Sequence, residues 1–184
     1  SQATGTWFNW INSDDTLLPG ALKMLVEIER LVPEAEWITG GRVLTDAAGK
    51  HVEANIPWRS NPNVIGLHEP RIAQDATFVR LSFMREEGIR MNEDIVSTFD
   101  TYFYFRLMNA CPPTLTTALF STMRQHPAQK TADTERRSQE GKKFLQPLFQ
   151  SHPQWMQAYH RLMRTRLHDV FEAVLWLGIR FGVI

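Results

Sequence analysis

The chain has 184 residues, which favours a single domain with room for a helical appendage. Hydrophobic residues make up 43% of it and charged residues 22%, which is ordinary for a soluble globular protein with a core. The 20 basic and 20 acidic residues cancel, so composition gives no general attraction to nucleic acid, and we expect no nucleic-acid partner. The single cysteine, Cys111, excludes an intramolecular disulfide and a cysteine-based zinc cluster, and it fits a reducing compartment such as the cytoplasm.

Alternating patterns of apolar and turn-forming residues predict a mixture of strands and helices. In chain order we predict a strand at 7–11, a helix at 21–31, short strands at 36–39 and 43–45 around two glycines, a hairpin turn at 47–50, a strand at 76–79, helices at 82–87 and 98–109, and a strand at 114–123. The proline-containing loop at 55–70 is long enough to act as a lid. The polar stretch 127–143 is the best linker candidate, and the rest of the chain predicts helices with one continuous apolar face.

The polar run that follows the first strand is the first candidate site. Asn12, Asp14 and Asp15 place an amide and two carboxylates at the end of a buried strand, where open α/β sheets bind ligands. Oxygen ligands of this kind hold Mg²⁺ or Mn²⁺, and such a cation neutralises a diphosphate. Taken alone, the run is more often a solvated turn or a helix cap.

The surrounding sequence resembles the metal-binding segment of family 2 glycosyltransferases. The resemblance covers residues 3–22, with Ala-Thr-Gly, an aromatic strand, the loop Asn-Ser-Asp-Asp, and Pro-Gly-Ala-Leu opening a helix. It implies that Asp14 is the metal ligand and that Asp15 supports the site. It also implies that Asn12, where many members have aspartate, accepts a hydrogen bond from a ribose or donor-sugar hydroxyl.

Four further segments resemble motifs of the same family and follow in the expected order. They are the hairpin Gly-Gly-Arg-Val-Leu-Thr-Asp with Gly-Lys at 40–50, Gln-Asp-Ala-Thr-Phe-Val-Arg at 74–80, Asn-Glu at 92–93 with Asp-Thr-Tyr-Phe-Tyr-Phe-Arg-Leu at 100–107, and Arg-Gln-His with Thr at 124–131. Gly41 departs from the pattern, since a polar residue is common there. The resemblance therefore spans residues 3–131.

The resemblance assigns roles to the reactive residues. Asp100 is expected to be the catalytic base that takes the proton of the acceptor hydroxyl, with Asp94 in reserve; the alternative for Asp100 is a helix cap. Gln74 and Arg80 are expected to position the donor sugar, although simple structural bonding explains them equally well.

The last motif implies contacts to the diphosphate. His126 is expected in the metal shell or on the diphosphate, with a structural histidine as the alternative. Arg124 and Lys130 are expected to pair with phosphate oxygens.

Together these residues predict an α/β chain with part of a GT-A fold, a mixed sheet with flanking helices. Residues 1–132 form its C-terminal part, without the half that reads the nucleotide base, and residues 133–184 form a linker and C-terminal amphipathic helices. Because the chain starts without methionine or signal peptide, we expect a fragment or processed product of a longer protein.

The expected activity is metal-dependent transfer of a hexosyl or N-acetylhexosaminyl group from a nucleotide-diphosphate donor, with inversion. UDP-sugars are the first guess for the donor, and polysaccharide biosynthesis or a lipid-linked saccharide acceptor fits such an enzyme. A non-catalytic interaction module is the main alternative, and a phosphohydrolase using Asp14 and Asp15 is a weaker one.

The C-terminal segment 170–184 is apolar but interrupted by Glu172 and Arg180, and it is too short to span a membrane. Packing onto the domain, lying at the inner membrane face and self-association all stay open.

Overall fold

The structure, a computed structural model, describes residues 3–57, 72–125 and 134–150. The predictions for His126, Lys130, most of the proline-containing loop and the helices after residue 150 lie outside these ranges. In chain order the elements are β1 (Trp7–Asn9), β2 (Thr16–Leu17), α1 (Ala21–Leu31), β3 (Trp37–Thr45), β4 (His51–Asn55), a 3₁₀ turn (Gln74–Ala76), β5 (Thr77–Arg80), α2 (Leu81–Glu86), α3 (Phe99–Ala110), β6 (Thr114–Arg124), α4 (Thr134–Glu140), a π-helical turn (Gly141–Leu145) and α5 (Gln146–Gln150).

Six strands form one mixed sheet in the order β1-β5-β3-β6-β2, with β4 paired to β3. The pairing of β3 with β6 is parallel, and the other pairings are antiparallel. On one edge β3 pairs first with β5 and then with β4, so it is the central strand of the sheet. This mixed sheet with flanking helices confirms the predicted fold class.

The sheet has a helix packed on each face, because successive residues of its central strands point to opposite sides. On one face, Leu25 and Ile28 of α1 pack against a cluster that contains Ile38 of β3. On the other face, Trp37 packs with Phe103 and Leu107 of α3, in a cluster that also contains residues of α2 and β5.

The two glycines predicted to separate two strands lie inside β3 instead, so that prediction was wrong. A Cβ atom on Gly40 would lie 2.5 Å from the carbonyl oxygen of Ala118 and 2.5 Å from the ring of Phe120. A Cβ atom on Gly41 would lie 2.8 Å from the carbonyl oxygen of Asn55. The glycines therefore allow β6 and β4 to approach β3 closely, where the ladder between β3 and β6 shifts register.

The polar stretch predicted as a linker is helical where the structure describes it. Helix α4 covers Thr134–Glu140 and the π-helical turn continues it. A helix without an apolar stripe is stabilised by polar contacts that sequence periodicity does not reveal, so the helix was not predicted, and its role as a linker stays a prediction. Within the described ranges, no helix is both long and apolar enough to cross a membrane.

Candidate functional site

The acidic loop after β1 is fixed to the end of β6 through Asp15. The carboxylate is buried, and its Oδ2 accepts a hydrogen bond from the Asn12 amide at 3.0 Å. Its Oδ1 accepts one from the backbone N–H of Arg124 at 3.1 Å. Burial raises the pKa of Asp15, the two hydrogen bonds oppose that rise, and the nearby charges of Asp75 and Asp14 add to it.

These hydrogen bonds distinguish the roles of the two neighbouring carboxylates, Asp14 and Asp15. Both oxygens of Asp15 are used by the protein itself, so Asp15 holds the loop in place. Asp14, half-buried in the same loop, is the better candidate for a cation ligand. Among the described residues, no group of three or more histidine, cysteine, aspartate or glutamate side chains could hold a metal ion. A single carboxylate nevertheless fits Mg²⁺ chemistry, in which substrate phosphates and water complete the shell.

Gln74, in the 3₁₀ turn before β5, forms hydrogen bonds with the acidic loop. Its amide nitrogen lies 3.2 Å from Oδ1 of Asn12 and 3.5 Å from the carbonyl oxygen of Trp10. Gln74 begins the 3₁₀ turn that leads into β5, the strand paired with β1. The pairing therefore places the two motifs side by side, as the resemblance implies for residues that line one pocket.

Helix α3 reaches the same region through aromatic contacts. The ring of Phe99 stacks on Trp10, with 4.4 Å between centroids and 20° between planes. The hydroxyl of Tyr104 donates to the carbonyl oxygen of Gln74 at 3.4 Å. Burial raises the pKa of Tyr104 far above its usual range, and the negative charge of Asp100 raises it further, so the phenol stays protonated.

Asp100 lies in the first turn of α3, next to Phe99. Its Oδ1 accepts the backbone N–H of Thr101 at 2.7 Å, and the Thr101 hydroxyl lies 3.4 Å from the same atom. Within the described part of the chain, no group donates to its Oδ2. One oxygen of the carboxylate is thus held and the other is available to accept a proton.

The reserve base, Asp94, lies in a different environment. It is exposed in a turn where its backbone N–H donates to Oδ1 of Asn92 at 3.0 Å. With Arg90, Tyr102 and Arg106 it lines an open cleft of about 440 Å³. Asp94 thus lies in this cleft, whereas Phe99, the residue before Asp100, stacks on Trp10 at the start of the acidic loop.

A buried ion pair beside Gln74 was missed by sequence reasoning. Asp75 is 1% exposed, and its Oδ1 lies 3.0 Å from a guanidinium nitrogen of Arg42. The hydroxyl of Ser121 donates to the other oxygen of Asp75. The Asn9 amide donates to the carbonyl oxygens of Asp75 at 3.1 Å and Thr77 at 2.9 Å. A charged residue within an apolar segment signals a buried partner, but the sequence does not say which basic residue supplies it.

Arg80 is not brought together with the other predicted site residues. Its guanidinium pairs with Glu29 at 2.9 Å, donates to the carbonyl oxygens of Ala35 at 2.7 Å and Pro33 at 3.0 Å, and lies 4.5 Å from the centroid of the Trp7 ring. These contacts tie β5 to α1 and to the loop after it. They favour a structural role, and a donor contact for Arg80 stays a prediction without geometric support.

The described site residues therefore form one connected group, except for Arg80. Hydrogen bonds link Asn12, Asp15, Gln74 and the backbone of Arg124, and Asp14 lies in the same loop. The start of α3, with Asp100, packs against the end of β1.

Comparison with known proteins identifies the fold. No family model and no curated protein sequence matches the chain. The crystal structure of residues 1–349 of S. aureus TarS in complex with UDP-GlcNAc matches with a TM-score of 0.52 at 15% identity, over 72% of this chain and 38% of TarS. A second crystal structure of TarS 1–349 matches with a TM-score of 0.52 at 12% identity, over 93% of this chain and 44% of TarS. The fold is glycosyltransferase-like.

TarS is a family 2 glycosyltransferase, so the predicted GT-A type of fold is confirmed. At these identities the likeness concerns the backbone and not the individual motif residues. The chain spans less than half the length of the TarS structures, 38% in one match and 44% in the other, so the activity of a whole enzyme is a matter for proposal.

Proposed function

We propose that this chain forms the phosphate and acceptor side of a glycosyltransferase active site. The observation that carries the proposal is the convergence of the acidic loop, Gln74 and the start of α3 at the end of β1. These segments are far apart in sequence, and they are the segments whose motifs resemble family 2 glycosyltransferases. Their meeting on a glycosyltransferase-like fold is what one shared active site requires.

Asp100 acts as the general base in this proposal. Its Oδ2 takes the proton of the acceptor hydroxyl while the hydroxyl oxygen attacks the anomeric carbon of the donor sugar. The bond from that carbon to the diphosphate oxygen breaks in the same step, so the product has inverted configuration. Thr101 holds Oδ1, which limits the rotation of the carboxylate and keeps Oδ2 in one direction.

Asp14 is the proposed ligand for Mn²⁺ or Mg²⁺. A bound cation supplies charge neutralisation for the departing diphosphate. Asp15 and Asn12 hold the loop that carries Asp14, and their bond to β6 fixes the loop relative to the sheet. His126 and Lys130 stay proposals for the metal shell and the diphosphate, together with the side chain of Arg124.

The proposed donor is a nucleotide-diphosphate sugar. The crystal structure of TarS with UDP-GlcNAc supports this class and makes UDP-GlcNAc the first compound to test. The proposed acceptor is a hydroxyl of a saccharide or a lipid-linked saccharide. A cytoplasmic enzyme at the inner membrane face fits that acceptor, and its location stays a proposal.

A thermal-shift panel of nucleotide sugars, each with and without Mn²⁺, tests the donor site. A ligand that binds only the folded state stabilises it by mass action, by about 2.7 kcal/mol at a hundredfold excess over Kd, and this stabilisation raises the melting temperature. We expect a shift for one donor that requires Mn²⁺ and disappears in Asp14→Ala. A Glu53→Ala control, which changes an exposed carboxylate of β4 outside the loop, should keep the shift.

Two results of the same panel would contradict parts of the proposal. A Mn²⁺-dependent shift that survives Asp14→Ala would contradict the assigned ligand. No shift for any donor would contradict a complete donor site in this chain and would mean that it holds only half of such a site.

A further inference from the structure

Glu140, the last residue of α4, makes an unusually complete set of contacts with the segment that precedes α3. The residue is 8% exposed. Its Oε1 accepts the backbone N–H of Val96 at 3.0 Å. Its Oε2 accepts the backbone N–H groups of Ser97 at 2.8 Å and Thr98 at 2.9 Å, and the Thr98 hydroxyl at 3.2 Å. One carboxylate therefore binds three consecutive backbone N–H groups from more than forty residues away in sequence.

These contacts satisfy the backbone N–H groups of the turn that leads into α3, and the last of them belongs to Thr98 at the N-cap position. Thr98 occupies the N-cap position and its side chain makes no capping hydrogen bond within the helix. The N–H groups just before a helix lie outside its hydrogen-bond ladder and need acceptors, and Glu140 supplies them for residues 96–98. The negative charge near the helix N-terminus is also favoured by the helix dipole.

Glu140 stays ionised in this environment. Burial raises the pKa of Glu140, but the hydrogen bonds from Ser97, Val96 and Thr98 outweigh that effect and hold the pKa below its ordinary value. Arg136, one turn earlier on α4, lies 3.7 Å from the same carboxylate and adds a favourable charge. The interaction is therefore a set of charge-assisted hydrogen bonds, which are stronger than neutral ones.

The anchored segment leads directly into the proposed base. Thr98 is followed by Phe99, whose ring stacks on Trp10, and then by Asp100. The chain next to Asp100 is thus held on two sides, by Glu140 on the preceding turn and by the stack of Phe99 on Trp10 just after β1. Asp100 accepts the backbone N–H of Thr101 in the first turn through Oδ1, so it makes a cap-like contact while its Oδ2 stays the proposed proton acceptor.

We propose that Glu140 is a positioning residue for Asp100: it holds residues 96–98 so that the carboxylate of Asp100 points into the site formed by the acidic loop. This inference rests on the proposed function, because it assumes that Asp100 is the base. The inference adds α4, which lies in the stretch predicted as a linker, to the elements that support the proposed active site. Misplacement of a reacting group by about 1 Å costs on the order of a hundredfold in rate, so the anchor is worth testing kinetically.

The test compares Glu140→Ala and Glu140→Gln with Glu135→Ala in a sugar-transfer assay. Glu135 lies on the same helix and is exposed, so it is the matched control. We expect Glu140→Ala to lower kcat about tenfold to a hundredfold while KM for the donor changes less than twofold. Glu140→Gln, which keeps one acceptor oxygen, should lose less, and Glu135→Ala should behave as wild type. A loss confined to KM, or a wild-type kcat in Glu140→Ala, would overturn the proposal.

The Asp100→Asn background shows whether Glu140 acts through the base. If it does, adding Glu140→Ala to Asp100→Asn should produce little further loss, because residues that act as a unit are not additive. A full further loss would mean that Glu140 acts elsewhere. If Asp100→Asn transfers sugar at the wild-type rate, the proposed base itself fails, and that result is distinct from a failure of the Glu140 inference alone.

Amide hydrogen exchange provides a readout that does not depend on activity. In Glu140→Gln, the amides of residues 96–98 should exchange faster than in the wild type, while those of β3 stay protected. Unchanged exchange at residues 96–98 would contradict the anchoring contact. Because Glu140→Gln retains part of the contact, it serves if Glu140→Ala does not fold.

Discussion

At the scale of single residues, the same side-chain chemistry serves different ends according to burial. Asp15 is buried with both oxygens bound by the protein, whereas the donors to Asp100 among the described residues all reach one of its two oxygens. The sequence places both in motifs of one family and does not distinguish them. The positions of the N–H donors in the structure distinguish Asp15, which holds the loop in place, from Asp100, which is the proposed base.

The buried pair of Arg42 and Asp75 is the clearest residue-scale test. Replacing Arg42 with methionine leaves the carboxylate of Asp75 buried with Ser121 as its remaining side-chain donor, so we expect a loss of about 3–5 kcal/mol in the free energy of unfolding. Arg30→Met is the matched control, because Arg30 and Glu27 are also 3.0 Å apart but both are largely exposed. That control should change stability by less than about 1 kcal/mol. Urea unfolding of both variants measures the difference, and equal losses would contradict the role given to burial.

At the scale of elements, the sequence predicted features that depend on neighbouring residues and failed for features that depend on contacts between distant segments. Helix α1 has the predicted bounds, because its apolar spacing and the ending proline are both local signals. The break predicted at Gly40 was wrong, because the reason for a glycine there is a neighbouring strand 78 residues later in sequence, at Ala118. Helix α4 was not predicted for a similar reason, since Glu140 has its partners in the segment before α3.

Substitution of Gly40 tests the close approach of β6 to β3. In Gly40→Ala, the new methyl group would meet the Ala118 carbonyl and the Phe120 ring at 2.5 Å, and overpacking of this kind costs about 1–3 kcal/mol. Gly141→Ala is the control, because a Cβ atom there would meet nothing within 4 Å and its backbone does not require glycine. The control should be neutral or stabilising by about 0.4–1 kcal/mol. Similar unfolding midpoints for the two variants would show that the strands have room to separate.

At the scale of the whole molecule, the order of the motifs along the chain proved more informative than any one motif. The resemblance predicted the type of fold, and the fold then brought most of the described motif residues together at one end of the sheet. It did not predict the pair of Arg42 and Asp75, because pairing between distant residues depends on register, which one sequence does not contain. It also placed Arg80 with the donor contacts, whereas the contacts of Arg80 join β5 to α1.

The stereochemistry of transfer is the property of the whole site that best tests how its parts combine. A retaining mechanism by double displacement needs a carboxylate nucleophile at the anomeric carbon in addition to the acid and base. The buried carboxylate of Asp75 is held by Arg42 and Ser121, and that of Asp15 by Asn12 and the backbone of Arg124, so both are engaged in contacts of the protein itself. A single displacement with Asp100 as base therefore predicts inversion, and an α-linked donor such as UDP-GlcNAc should give a β-linked product. The coupling constant of the anomeric proton in the product, measured by NMR, distinguishes the α-linked from the β-linked product. An α-linked product would overturn the single-displacement mechanism while leaving the fold and the position of Asp100 unchanged.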